Sequence, residues 1–198
     1  MTAPIPIHGK FTTYHLRVDT FISSRKSPFS VIEVPPGGHP ERQFCDHDFS
    51  ELVLITAGAA RHLVEHESHP VARGDILCLH PGFFHAYENA ESMSLINVIF
   101  DLRHLEYPAF DCRRSRLFNR IFPVDSARLN AAMLVKPILH ADDGLVDTLI
   151  GGAHELEQEL RDRRPGSYFC SMALFFGLIA RLLRCRTAAD EEDDIPER

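Results

Sequence analysis

The chain has 198 residues, 44% of them hydrophobic and 25% charged, which is enough for one full core with a helical appendage and excludes a disordered polyelectrolyte. The formal charge of -7 is uneven: residues 187–198 hold Asp190, Glu191, Glu192, Asp193, Asp194 and Glu197 against Arg198 alone, so this tail carries -5 and the body about -2. A near-neutral body with an acidic end has no field to attract phosphate, which argues against nucleic-acid binding by this chain alone. The arginine bunches at Arg113, Arg114, Arg116 and Arg120, and at Arg181, Arg184 and Arg186, read as solvated helix faces.

Residues 1–24 form an N-terminal arm. Its prolines favour extended chain, and Tyr14 and His15 are placed to cap a pocket. Residues 25–104 read as strands. "FSVIEV" (29–34) is rich in β-branched residues and stops at Pro35, Pro36, Gly37 and Gly38, where no ladder can continue. "ELVLITAG" ends at Gly58; "ARHLVEH" breaks at Glu67 and Ser68 before "HPVARGD". "DILCLH" breaks at "PGFF", "HAYE" restarts, and "MSLINVIFD" closes the series. Strands at roughly ten-residue intervals with Gly or Pro between them indicate an antiparallel sandwich or barrel.

Residues 105–186 form a helical dimerisation region, although 104–144 hold short mixed segments without a clear period. From Leu145 the apolar positions Leu145, Leu149, Ala153, Leu156 and Leu160 line one helical face. "RRPGS" interrupts, and Ser167 is placed to N-cap a second helix through "YFCSMALFFGLIARLLR". That helix is apolar around most of its girth. Phe169, Met172, Phe175, Phe176, Ile179, Leu182 and Leu183 supply either internal core or the strip of an isologous two-fold dimer. Residues 187–198 are an acidic linker or tail.

Cys45, Cys78, Cys112, Cys170 and Cys185 are odd in number and lack C-x-x-C spacing, and no N-terminal apolar stretch could serve as a secretion signal, so the reducing cytoplasm is expected. The run "MALFFGLIA" is too short to span a bilayer, and Arg181 follows it.

Potential ligands fall at telling positions: Cys45, His47, Glu51 and His85. In an unbroken strand His47 and Glu51 would lie about 13 Å apart, so "HDFS" must supply a turn that lets one strand end at His47 and the next begin at Glu51. Gly74 and Asp75 make another turn, "ILCL" a strand, and Pro81-Gly82 a tight turn that returns His85 to the same place. Three readings stay open. The carboxylate and two imidazoles satisfy one another, or they contact a ligand, or with Cys45 they hold zinc, iron or nickel. His62, Val64 and His66 alternate on one strand face, and if inward they make a polar interior suited to a sugar or organic acid. Tyr87 and Asn97 on later strands could hydrogen-bond the same ligand.

These segments resemble the two cupin motifs, here Cys45, Asp46, His47, Glu51 and Gly58, then Gly74, Pro81, Gly82 and His85, with Cys45 in place of the first histidine. The finer match, "HDFSELVLI", "ARGDI", "PGFFH" and the "LINVIF" strand, resembles the N-terminal sensor and dimerisation domain of AraC-type transcriptional regulators over about residues 25 to 186. The resemblance implies a mainly β fold with α: a cupin double-stranded β-barrel followed by a C-terminal antiparallel α-helical hairpin. It also implies a ligand-sensing domain without catalytic residues, binding a small polar effector through His47, Glu51, His62, His85, Tyr87 and Asn97 and pairing as a homodimer through its C-terminal helices. Such regulators continue into a helix-turn-helix module, which is absent from this chain, so DNA is expected to be reached only through that missing module. No cofactor is required by this reading. The alternative is a mononuclear metal-dependent cupin enzyme, a dioxygenase or isomerase, with Cys45, His47, Glu51 and His85 as ligands.

Overall fold

The computed structural model describes residues 12–22, 27–39, 43–107, 112 and 114–185. The first part of the arm and the acidic tail lie outside them. Two five-stranded sheets face each other. One runs β1 (Thr12–Leu16), β3 (Gln43–His47), β8 (His85–Glu88), β5 (Ala59–Val64), β6 (Glu67–Ala72); the other runs β10 (Leu139–His140), β7 (Asp75–Leu79), β4 (Ser50–Ala57), β9 (Ser94–Phe100), β2 (Phe29–Val34). All pairings are antiparallel except β1 with β3, which is parallel. The expected double-stranded barrel takes the form of two open facing sheets.

The second sheet is buried on both faces, which explains why "ELVLIT" and "DILCL" read as continuous apolar runs without alternation. Leu52, Leu54, Ile76, Ile96, Val98 and Phe100 pack toward the helices, against Leu149, Ala153, Leu156, Phe175, Leu178 and Leu182. Val53, Ile55, Leu77, Leu79 and Leu95 point the other way, into the space between the sheets, with Val64, Val71 and Met93.

One segment of the expected N-terminal arm and one of the mixed region 104–144 are built into the sheets. β1 extends the first sheet, so Tyr14 and His15 sit in a ladder and not on a separate arm. Residues 139–140 pair with Asp75 and Ile76. Between the sandwich and the C-terminal helices lie α2 (Arg116–Ile121) and the single turn α3 (Ala131–Leu134), capped by Ser115 and Asn130. A further turn, α1 (Val18–Phe21), follows β1.

The helical hairpin is α4 (Asp143–Asp162) and α5 (Ser167–Leu183). Asp142 caps α4 by accepting from the Leu145 amide at 2.8 Å. Ser167 is not the N-cap expected of it. Gly166, at φ +89°, takes that place because it can turn the chain after Pro165, and the Ser167 hydroxyl instead donates to the Glu159 carbonyl at 3.0 Å. The break expected at Glu67 and Ser68 lies two residues earlier, at Glu65 (φ 53°) and His66.

Arg73, in the β6–β7 turn, ties this scaffold together. It donates to Asp143 and Asp147, one helical turn apart on α4, at 3.0 Å each, and to the Thr56 carbonyl.

Candidate functional site

The site begins at the bend between β3 and β4. His47 ends one strand, Asp48 and Phe49 turn, and Ser50 starts the next. The His47 Nδ1–H donates to the Phe49 carbonyl at 2.7 Å, and the imidazole stacks on the Phe49 ring at 4.5 Å. A carbonyl only accepts, so Nδ1 carries the proton and Nε2 presents a lone pair, 4.0 Å from Glu51 Oε2. Glu51 lies in the middle strand, flanked by Leu79 and Ile99. His85 opens β8 after the Pro81-Gly82 turn, directly opposite Cys45, whose Sγ is 3.2 Å from His85 Nε2.

His47, Glu51 and His85 are all buried, and their ligand atoms lie within 4.8 Å of one another. Cys45 is not part of that three-residue group. Its thiol is pushed up to about 12 by burial and by the charge of Glu51, so it stays protonated.

Burial sets the charge state of the interior. It raises Glu51 to about 8, lowers His47 and His62 to about 4, holds His85 well below the usual imidazole range and raises Tyr87. Near neutral pH the acid is mainly protonated and the imidazoles are neutral. A cavity of about 90 Å³ opens beside them, bounded by Tyr14, His39, Cys45, Glu51, His85, Tyr87 and Asn97 among others, with no lysine or arginine among the described residues that line it.

His39 Nε2, His85 Nδ1, Tyr87 Oη and Asn97 Oδ1 are buried at this cavity without a hydrogen-bond partner, and so is His47 Nε2 beside it. Leaving each such atom unpaired costs about 1–3 kcal/mol, so their concentration in one place marks a surface prepared for a polar partner. A wider groove of about 880 Å³ lies between β2 and the α4–α5 turn. Its Arg161 and Arg164 already pair with Glu157 and Asp162, and the cluster of buried titratable groups lies elsewhere. The smaller cavity is the better site.

Of the residues expected from the sequence, Cys45, Glu51, His85, Tyr87 and Asn97 line this cavity, and His47 adjoins Glu51 and His85. His62 and Val64 point inward, but His66 is exposed in the β5–β6 turn, so the alternation stops one residue pair short. His62 lies behind the cavity wall, stacked on Tyr87 at 5.0 Å, with Nδ1 3.0 Å from the Val135 carbonyl. Asp46 and Asp48 face β1 and α1: Asp46 pairs with His15 at 2.8 Å, and Asp48 accepts from the Val18 amide at 2.5 Å. Sequence reasoning passed over His39, which packs on Tyr87 at 4.7 Å, and His80, which is buried against Ser50 and Arg120. The loop "PPGGHP" gives no signal for His39. His80 was legible only as a polar residue ending an apolar strand.

Two facing sheets thus enclose a small cavity lined by buried titratable and polar groups. In comparison with known families, residues 38–113 match the model of the AraC-like ligand binding domain. Over 156 residues the chain is 26% identical to the HTH-type transcriptional activator RhaR of Mannheimia succiniciproducens, covering 73% of this chain and 46% of that protein. The Escherichia coli K12 activator of the same name is 27% identical over 84 residues, 41% of this chain and 28% of that one. The chain thus spans less than half the length of these relatives. Among solved structures, a cupin 2 conserved barrel domain protein from Salinispora arenicola aligns with a TM-score of 0.33 at 24% identity, covering 40% of this chain and 68% of the other. Among the described residues no helix is long and apolar enough to cross a membrane.

Proposed function

We propose that this chain is the effector-sensing and dimerisation part of a cytoplasmic transcription regulator. A small polar effector occupies the cavity between the sheets, the α4–α5 hairpin pairs two copies, and DNA is engaged by a helix-turn-helix module outside this sequence. The observation that carries this reading is the cluster of unpartnered buried polar atoms on Tyr87, Asn97, His85 and their neighbours, gathered at one cavity. Its imidazoles, phenol and amide can exchange hydrogen bonds with a sugar or an organic acid. β1 brings Tyr14 into the same wall, so occupancy bears on the N-terminal segment as well. A thermal-shift screen of sugars and organic acids tests the proposal. A specific ligand at 100 times its dissociation constant adds about 2.7 kcal/mol, and a uniform absence of stabilisation contradicts the reading.

A second reading is favoured by one observation. Because His47 Nδ1 is committed to Phe49, its Nε2 lone pair is oriented and unpartnered beside Glu51, and a second-sphere hydrogen bond of this kind is usual for a metal-ligating histidine. Two imidazoles and a carboxylate suit zinc, iron or nickel, so His47, Glu51 and His85 could hold such an ion, which would supply Lewis-acid chemistry to a bound substrate. Metal analysis of protein purified without added metal decides. A stoichiometric ion lost in His47→Ala supports a metal-dependent enzyme, and its absence leaves the sensor.

A further inference from the structure

Two buried imidazoles leave the neighbourhood of the cavity and end on the chain that joins the sandwich to the hairpin. His80 is 3.0 Å from the Ser50 hydroxyl through Nδ1 and 2.8 Å from the Arg120 carbonyl through Nε2. The carbonyl accepts, so Nε2 carries the proton and Nδ1 receives the Ser50 O–H. Ser50 is the chain neighbour of Glu51. On the other side, His62 stacks on Tyr87 and donates from Nδ1 to the Val135 carbonyl.

The two anchor points are themselves joined. Arg120 Nη2 donates to the carbonyl of Met133 at 2.6 Å and lies 3.4 Å from that of Lys136, which bracket Val135. Residues 116–136 are therefore held by one partly buried polar frame whose two imidazoles end beside Glu51 and Tyr87, which line the cavity. From the same α2 helix, Phe118 stacks near Phe122 at 4.9 Å, and Phe122 lies 6.4 Å from both Phe175 and Phe176 of α5. Side-chain contacts and short stretches of chain thus connect Glu51 and Tyr87 to the hairpin.

We infer that His62 and His80 are positioning residues that couple the cavity to the α4–α5 hairpin through residues 116–136. They touch no effector themselves. Their work is to hold two backbone carbonyls in register with the cavity wall, so that a change at Glu51 or Tyr87 repositions α2 and, through Phe122, α5. What occupies the cavity rests on the reading proposed above, but the coupling can be measured without any effector.

The test is hydrogen exchange on the full chain, with α2 and α5 amides read relative to β9 amides, which report global opening. Glu51→Gln is the perturbation, and it is repeated in His80→Phe, Ser50→Ala and His80→Gln backgrounds. We expect Glu51→Gln to change relative protection in α2 and α5 by about threefold or more, within the range of measured couplings. The change should vanish in His80→Phe and in Ser50→Ala, and persist in His80→Gln, whose side-chain amide replaces the Nε2–H donor. Should His80→Phe not fold, Ser50→Ala carries the comparison. The parallel cycle pairs Tyr87→Phe with His62→Phe and His62→Asn, asparagine replacing the Nδ1–H donor. A response confined to β4, or the same response in every background, overturns the inference. A failed effector screen would leave these results standing, so the two claims fail separately.

Discussion

His47 and Phe49 hold each other twice, by the 2.7 Å hydrogen bond from Nδ1 to the carbonyl and by the ring stack at 4.5 Å. This pair closes the bend that ends β3, and it brings His47 Nε2 to 4.0 Å from Glu51 Oε2. An extended strand would have held the two residues about 13 Å apart. His47→Ala removes the bond and the stack from a wholly buried position and should cost about 2–4 kcal/mol in urea unfolding. A loss below about 0.5 kcal/mol, the range of ordinary surface substitutions, would show that the bend is set by other residues.

The acid at position 51 makes stability depend on pH. In the unfolded chain its carboxyl ionises near 4.5, whereas burial in the fold holds the proton until about 8. Its contribution is thus fully present below 4.5 and is lost as pH rises toward 8, at about 1.4 kcal/mol for each pH unit between those two values. Glu51→Gln should remove this alkaline loss, so that the variant gains about 2–5 kcal/mol on wild type between pH 4 and pH 8. Buried His47 and His62, lowered to about 4, act on the other side, their contribution being lost as pH falls from 6.5 toward 4, and the variant keeps that acid limb. Denaturation midpoints across this pH series check both limbs. Parallel curves for the two proteins would contradict the assignment.

Gly58 carries the chain from β4 into β5 at φ +68°, and a Cβ built there would stand 2.1 Å from the Ser92 carbonyl oxygen. Gly58→Ala therefore combines a left-handed backbone with a clash against main chain, and should cost more than about 2 kcal/mol. Calorimetric unfolding of the variant checks this, and an unchanged midpoint would refute it.

Much of this was legible in the sequence, and the reasons differ by element. The β4 and β9 strands were plain because sheets buried on both faces must be apolar throughout, and α4 because one-sided burial leaves a helical period. The meeting of His47, Glu51 and His85 was legible because the "HDFS" bend and the Pro81-Gly82 turn have local chemistry. His62 was ambiguous, since alternation alone does not say which face is inward. β1 and β10 were hidden because a short edge strand depends on its partner, Gln43–His47 or Asp75–Ile76, more than on its own residues. The His80–Arg120 link joins residues 40 apart, which no local pattern carries.

On the hairpin, two aromatic residues predict opposite outcomes. Phe175 is fully buried, stacked on Phe29 at 4.6 Å and 5.2 Å from Phe100, so Phe175→Ala should cost about 3–5 kcal/mol. Phe169 is 78% exposed at the start of α5. Phe169→Ser should leave unfolding of the single chain nearly unchanged but weaken the proposed dimer by about tenfold in sedimentation equilibrium, if its ring is an anchor of the interface. Unchanged self-association would move the dimer surface elsewhere.

The central claim is that the small neutral cavity between the sheets is where an effector binds. Its most direct test is calorimetric titration of the compound that raises the unfolding temperature most into wild type and into Asn97→Leu, a variant that removes one cavity amide while keeping similar volume. The account predicts stoichiometric binding to wild type and at least about a tenfold weaker affinity in the variant, corresponding to about 1.4 kcal/mol. Equal affinity in both proteins would place the effector outside this cavity and contradict the account.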